Sequence, residues 1–101
     1  MIMSSKLHRL LRAVIKEFRD QMVVGVDEGQ DITPETVKTM LCYKSYYYPK
    51  DEMGLPLSFT KITNKEACMF VEYIFREGSQ RGFTFGIVED EWSRIINNIR
   101  N

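Results

Sequence analysis

The stretch Ser58-Phe59-Thr60-Lys61-Ile62-Thr63-Asn64-Lys65-Glu66 constrains this chain more than any other. Thr63 and Glu66 stand three residues apart, the spacing of a capping box. In that motif the threonine hydroxyl accepts from the Glu66 N–H, and the glutamate accepts from the Thr63 N–H. A helix must start there. Behind the cap, Ala67, Phe70, Val71, Ile74 and Gly78 recur at helical spacing, and Gly82 supplies the left-handed residue on which helices stop. One face of this helix therefore has to be covered by other parts of the chain.

The covering elements follow from the same periodicity. Over residues 4–22, Leu7, Leu10, Leu11, Val14, Ile15, Phe18 and Met22 form one apolar face behind a Ser4 or Ser5 cap. Thr33, Pro34 and Glu35 open a short second helix with Val37, Met40 and Leu41 on its apolar side, Pro34 standing where a missing N–H costs nothing. Val88, Trp92, Ile95, Ile96 and Ile99 make the stripe of a last helix, with Glu89, Asp90 and Glu91 in its first turn. Val23 to Asp31 reads as a connector with a short extended piece at Val23-Val24, and Phe83 to Ile87 as an extended segment laid on the core. Tyr43 to Lys50 holds four of the five tyrosines and ends in proline chemistry. It reads as a strand with Tyr46 and Tyr48 on one face and Tyr47 on the other, returning through Leu57 to Lys61. The predicted fold class is α+β, mainly α, as a single domain over residues 1–101. Its helices lie near 5–21, 34–41, 64–81 and 88–99, with a β-hairpin near residues 43–61. The core is expected to draw on Leu10, Leu11, Val14, Phe18, Phe70, Val71, Ile74, Trp92, Ile95 and Ile96.

Charge narrows the function classes. Fourteen Lys+Arg balance fourteen Asp+Glu, so attraction to a polyanion has to be local. Two local excesses stand out. The first helix carries Lys6, Arg9, Arg12, Lys16 and Arg19 against Glu17, and between Lys38 and Lys65 five lysines stand against two acids, with Lys44 and Lys50 flanking the tyrosines. Rings interleaved with cations suit single-stranded nucleic acid, where bases stack on aromatic faces and phosphates meet ammonium groups. The same residues also suit a solvated helix face and a hairpin packed on helices. The candidate nucleic-acid-binding residues are Lys44, Tyr46, Tyr47, Tyr48, Lys50 and Lys61, with Arg9, Arg12 and Lys16 extending the track along the first helix.

Nothing in the sequence assembles an enzyme. There is no Gly-rich phosphate loop, no nucleophile with a partner base at recognisable spacing, and no metal-ligand grouping, so no catalytic residue, metal or cofactor is expected. His8 is the only histidine, and Cys42 and Cys68 read as two buried thiols of a reducing compartment. No leader pattern or apolar run of membrane length is evident, so a cytoplasmic location is expected, in the host cytoplasm for a phage-encoded protein. Tyr73 and Phe75, off the main stripe of the third helix, leave apolar surface that favours a homodimer.

The order of a helix, a T-P-E short helix, an aromatic segment, then S-x-T-K-I-T-x-K-E opening a longer helix that ends in Arg81-Gly82 resembles the phage NinB (Orf) recombination family. The resemblance covers roughly residues 5–95 and is to the C-terminal region of that family only. Ser58, Thr60, Lys61, Ile62 and Glu66 match its strand-end and helix-start pattern, and Arg81 and Gly82 its helix end, while Phe59 stands where a second Ser or Thr is usual. The resemblance implies a non-enzymatic recombination mediator that binds single-stranded DNA and the host single-strand-binding protein, usually as a homodimer. The alternative is a small phage or mobile-element inhibitor that acts by protein contacts on a host nuclease or defence complex, a reading that tyrosine-rich surface fits equally.

Overall fold

The computed structural model describes residues 4–24 and 32–100. Four helices, α1 (Ser5–Met22), α2 (Pro34–Lys44), α3 (Asn64–Gln80) and α4 (Gly86–Arg100), carry the architecture, and α1 packs against each of the other three. That central place suits its composition. Leu7, Leu10, Leu11, Val14, Ile15 and Phe18 are all buried, and Ser4 caps the helix by accepting from the Leu7 N–H at 3.2 Å. The Gly-rich part of the 23–31 connector lies outside the described residues, while Val23 and Val24 close α1 as a turn, not as an extended piece.

The capping box at the head of α3 is complete. The Glu66 N–H donates to Thr63 Oγ1 at 3.1 Å, and the Thr63 N–H donates to Glu66 Oε1 at 2.8 Å. At the far end, Gly82 has φ of 79°, Phe83 N–H reaches back to the Gly78 carbonyl at 2.8 Å, and Gly82 N–H bonds the Ser79 carbonyl at 3.0 Å. This is the helix stop that glycine permits.

The hairpin is the part of the expectation that the structure corrects. Among the described residues there is no β-strand, and the expected hairpin is reduced to an isolated bridge between Lys50 and Pro56. Tyr43 and Lys44 belong to α2, and Phe59–Lys61 is a 3-10 turn. The reason lies in two prolines. Pro56 stands opposite Lys50 and Pro49 opposite Leu57, and neither proline has an N–H to donate, so the pairing stops at Asp51 N–H to Leu55 O at 2.8 Å and Leu57 N–H to Pro49 O at 3.0 Å. The tip is held by Asp51, whose carboxylate accepts from the Met53 and Leu55 N–H groups at 2.9 and 3.0 Å, with Gly54 at φ 81°. Among the described residues the architecture is mainly α, four helices and a 3-10 turn.

The irregular 45–62 segment still feeds the core. Tyr48, Phe59 and Ile62 are buried, and the Tyr48 and Phe59 rings meet Phe70 of α3 at 4.7 and 6.2 Å. Every residue expected in the core is buried except Ile95 and Ile96, which are partly so. No described helix is long and apolar enough to cross a membrane.

α4 begins two residues before its expected start, and Phe85, just ahead of it, lies over Gly78. A Cβ at position 78 would stand 2.6 Å from the Phe85 ring, which is buried and meets Phe75 edge-on at 5.0 Å. Gly78→Ala is expected to destabilise the fold. The clash costs about 1–3 kcal/mol, more than the roughly 1 kcal/mol that alanine returns in helix propensity. Thermal denaturation measures the balance, and a raised melting temperature would mean that the ring yields freely.

Candidate nucleic-acid interface

The buried stripe of α1 leaves an outward face on which Lys6, Arg9, Arg12 and Lys16 fall, and no acid occurs between Ser4 and Lys16. This arrangement works against the helix. Backbone N–H groups make a helix start partially positive, so acids are favoured in its first turn and cations there cost a few tenths of a kcal/mol. α1 has no acid in its first turn and carries Lys6 in it. An anion placed near that end would be attracted both by the side chains and by the helix itself.

Clefts flank α1 on both sides. Toward α4, a cleft of about 590 Å3 is lined by Lys6 and Arg9 from α1 and by Glu91 and Arg94 from α4, over a floor of Leu10, Ala13 and Ile95. Toward α2, a smaller one of about 80 Å3 is lined by Arg12, Ile15, Glu35, Lys38 and Phe59. Cations from three helices therefore form a belt across the outward face of α1, opposed in the two clefts by Glu91 and Glu35.

The individual cations differ in how free they are. Lys16 pairs with Asp20 at 2.9 Å, which holds the Asp20 carboxyl below its usual range. Arg12 Nε donates to His8 Nε2 at 3.2 Å, so His8 acts as a neutral acceptor. Partial burial lowers the His8 pKa first, and the Arg12 and Lys38 charges add to it. Lys38 lies 4.2 Å from the centre of the Phe59 ring and pairs with Glu35 at 3.3 Å. Arg9 and Arg94 are exposed and line the α4 cleft together.

The tyrosine segment divides in two. Tyr46 and Tyr47 are 91% and 57% exposed, with their rings edge to face at 5.6 Å, while Tyr48 is 3% exposed and donates its hydroxyl to the Leu57 carbonyl at 2.5 Å. Burial pushes the Tyr48 phenol well above its ordinary range, and burial likewise raises the neighbouring Cys42 thiol to about 11. Both are core groups, so Tyr48 offers no face to a base. Lys50 donates to the Ser45 and Tyr48 carbonyls at 3.0 and 3.2 Å, where it closes the turn, although its side chain remains partly accessible. Lys44 is exposed and close enough to Glu77 of α3 to depress that carboxyl, after the larger effect of Arg81. Lys61 is exposed at the end of the 3-10 turn.

Of the residues nominated from sequence, the structure brings Arg9, Arg12 and Lys16 onto one face and Lys44, Tyr46 and Tyr47 onto one short stretch. It adds Lys6, Lys38 and Arg94, which the sequence reading did not nominate. For Arg94 the available signal was its place beside the apolar stripe of α4, but which helix that edge meets depends on tertiary packing. A second kind of surface was also missed. Tyr43 and Leu55 line a groove of about 340 Å3 between α2 and the segment through Ser58, and Met53 is 84% exposed in the neighbouring turn. Among the described residues no group of three or more His, Cys, Asp or Glu could hold a metal ion. In comparison with known proteins, the chain matches no family model, no curated protein and no solved structure.

Proposed function

We propose that this protein is a non-enzymatic, phage-type recombination mediator that binds single-stranded DNA. The observation that carries the reading is the outward face of α1, where Lys6, Arg9 and Arg12 stand without an intervening acid and are flanked by Arg94 and Lys38. In a molecule of zero net charge, such a belt concentrates positive potential where a phosphate backbone can use it. Tyr46 and Tyr47 add exposed rings on which bases can stack, with Lys44 beside them. The resemblance to the NinB (Orf) family supports the same reading. Its matching residues form the 3-10 turn and capping box ahead of α3 and the Arg81-Gly82 stop behind it, so the similarity is one of scaffold, and DNA contact falls mainly to the α1 face and the tyrosine turn after α2.

A second reading has its own support. Tyr43, Met53 and Leu55 expose apolar surface around the α2 groove, the composition of a protein interface. Within the mediator reading this surface serves the host single-strand-binding protein or the second protomer of a homodimer. In the alternative, the protein is a small inhibitor of a host nuclease or defence complex and DNA plays no part. The dimer itself has a less obvious origin than expected, because Tyr73 stacks on Phe70 at 6.3 Å and Phe75 meets Phe85 and Trp92 within the protomer. Light scattering at high micromolar concentration tests it, and a protomer mass would remove the dimer from the proposal.

The deciding experiment is a salt titration against a labelled single strand. A strand-binding protein should lose affinity linearly in log–log form, with a slope of about −0.7 for each phosphate neutralised. No binding at low salt would overturn the mediator reading in favour of the inhibitor.

A further inference from the structure

Resting on the strand-binding reading, we infer that the cleft between α1 and α4 holds one nucleotide of the bound strand, its phosphate between Arg9 and Arg94 and its base on the floor of Leu10, Ala13 and Ile95. Helical spacing assembles the two walls. Lys6, Arg9, Leu10 and Ala13 follow one another at i, i+3, i+4 and i+7 on α1, and Glu91, Arg94 and Ile95 at i, i+3 and i+4 on α4. Cations therefore rim the cleft, and aliphatic groups line its base. Its volume of about 590 Å3 falls within the roughly 300–1,000 Å3 typical of sites for small organic ligands. A bare phosphate would use the rim and leave the floor wet, and an apolar ligand would leave three cations without a partner. A nucleotide uses both.

Glu91 gives the site a second, opposite handle. Among the described residues it is the one carboxylate lining the cleft, and it repels a phosphate held by its neighbour Arg94 one turn along the same helix. Two exposed residues on one face of α4 should therefore act on binding with opposite sign, which a purely structural role would not produce.

The test uses the full chain and a fluorescein-labelled oligodeoxynucleotide, read by anisotropy across salt concentrations. Arg94→Ala should weaken binding several-fold and reduce the magnitude of the log–log salt slope by about 0.7, one phosphate's share. Glu91→Gln should tighten binding. A second arm follows the methyl resonances of Leu10, Ala13 and Ile95 in the parent protein. A deoxynucleoside monophosphate should shift them, and inorganic phosphate at the same concentration should not. If the parent binds the oligonucleotide while both variants match it, the strand lies elsewhere and the inference falls, leaving the broader reading intact. If the two small ligands act alike on the methyl groups, the base does not use the floor, and the inference also falls. If the parent binds no oligonucleotide even at low salt, the inference and the reading beneath it fall together.

Discussion

Replacing Phe70 with alanine is expected to lower the unfolding free energy by about 3–5 kcal/mol. The Phe70 ring is 1% exposed and is surrounded by Tyr48 at 4.7 Å, Phe59 at 6.2 Å and Tyr73 at 6.3 Å. The first two neighbours belong to the irregular segment between α2 and α3, whose backbone hydrogen bonds are local turns and no regular ladder. Removing Phe70 thus takes away both a buried side chain and the anchor that orders that segment. Urea unfolding gives the answer through its midpoint. An unchanged midpoint would show that the segment is held by some other contact.

The largest functional effect is expected from reversing two charges at once, Arg9→Glu with Arg12→Glu. Both side chains are exposed on α1, and neither contributes to the core. Removing two phosphate contacts should cut the magnitude of the salt slope by about 1.4, and the repulsion that replaces them should cost more than tenfold in affinity at low salt. Stability should move the other way or stay level, because glutamate suits the first half of a helix better than arginine does. A variant that folds as well as the parent and no longer binds separates recognition from folding. Undiminished binding would remove α1 from the interface.

The helices were legible because each announces itself locally. Thr63 with Glu66 marks the start of α3, Thr33 with Pro34 that of α2, and the stripe from Leu7 to Phe18 defines α1, all without knowledge of the partners. The segment after α2 was not legible by the same means. Four tyrosines in six positions carry strand propensity, but propensity says nothing about where backbone donors go, and Pro49 and Pro56 remove two of them. α2 instead continues through Lys44, and Tyr48 turns inward where alternation had set it beside Tyr46. The candidate interface shows the same division. Cations on one helix could be read from their spacing, whereas Arg94 and Lys38 joined them only through packing, which periodicity does not encode.

The way α1 is tied down bears on how the chain reaches this fold. Its first residue outside the helix, Ser4, donates its N–H to Asn64 Oδ1 at 2.8 Å. Near its end, Gln21 makes a reciprocal pair with Thr84, donating to the carbonyl at 2.7 Å and accepting from the N–H at 2.9 Å. Both ties span sixty or more residues of chain, and much of the apolar face between them waits for the same distant partners. During synthesis at about 5–20 residues per second, α1 would emerge several seconds before Asn64 and Thr84 exist to receive it. For that interval Leu7, Leu11, Val14 and Phe18 lack the surfaces of α3 and α4, with only α2 already made to pack on α1. A nascent chain with that face open is expected to engage chaperones, and its folding is expected to wait on closure of the loop that returns α3 to the helix made first.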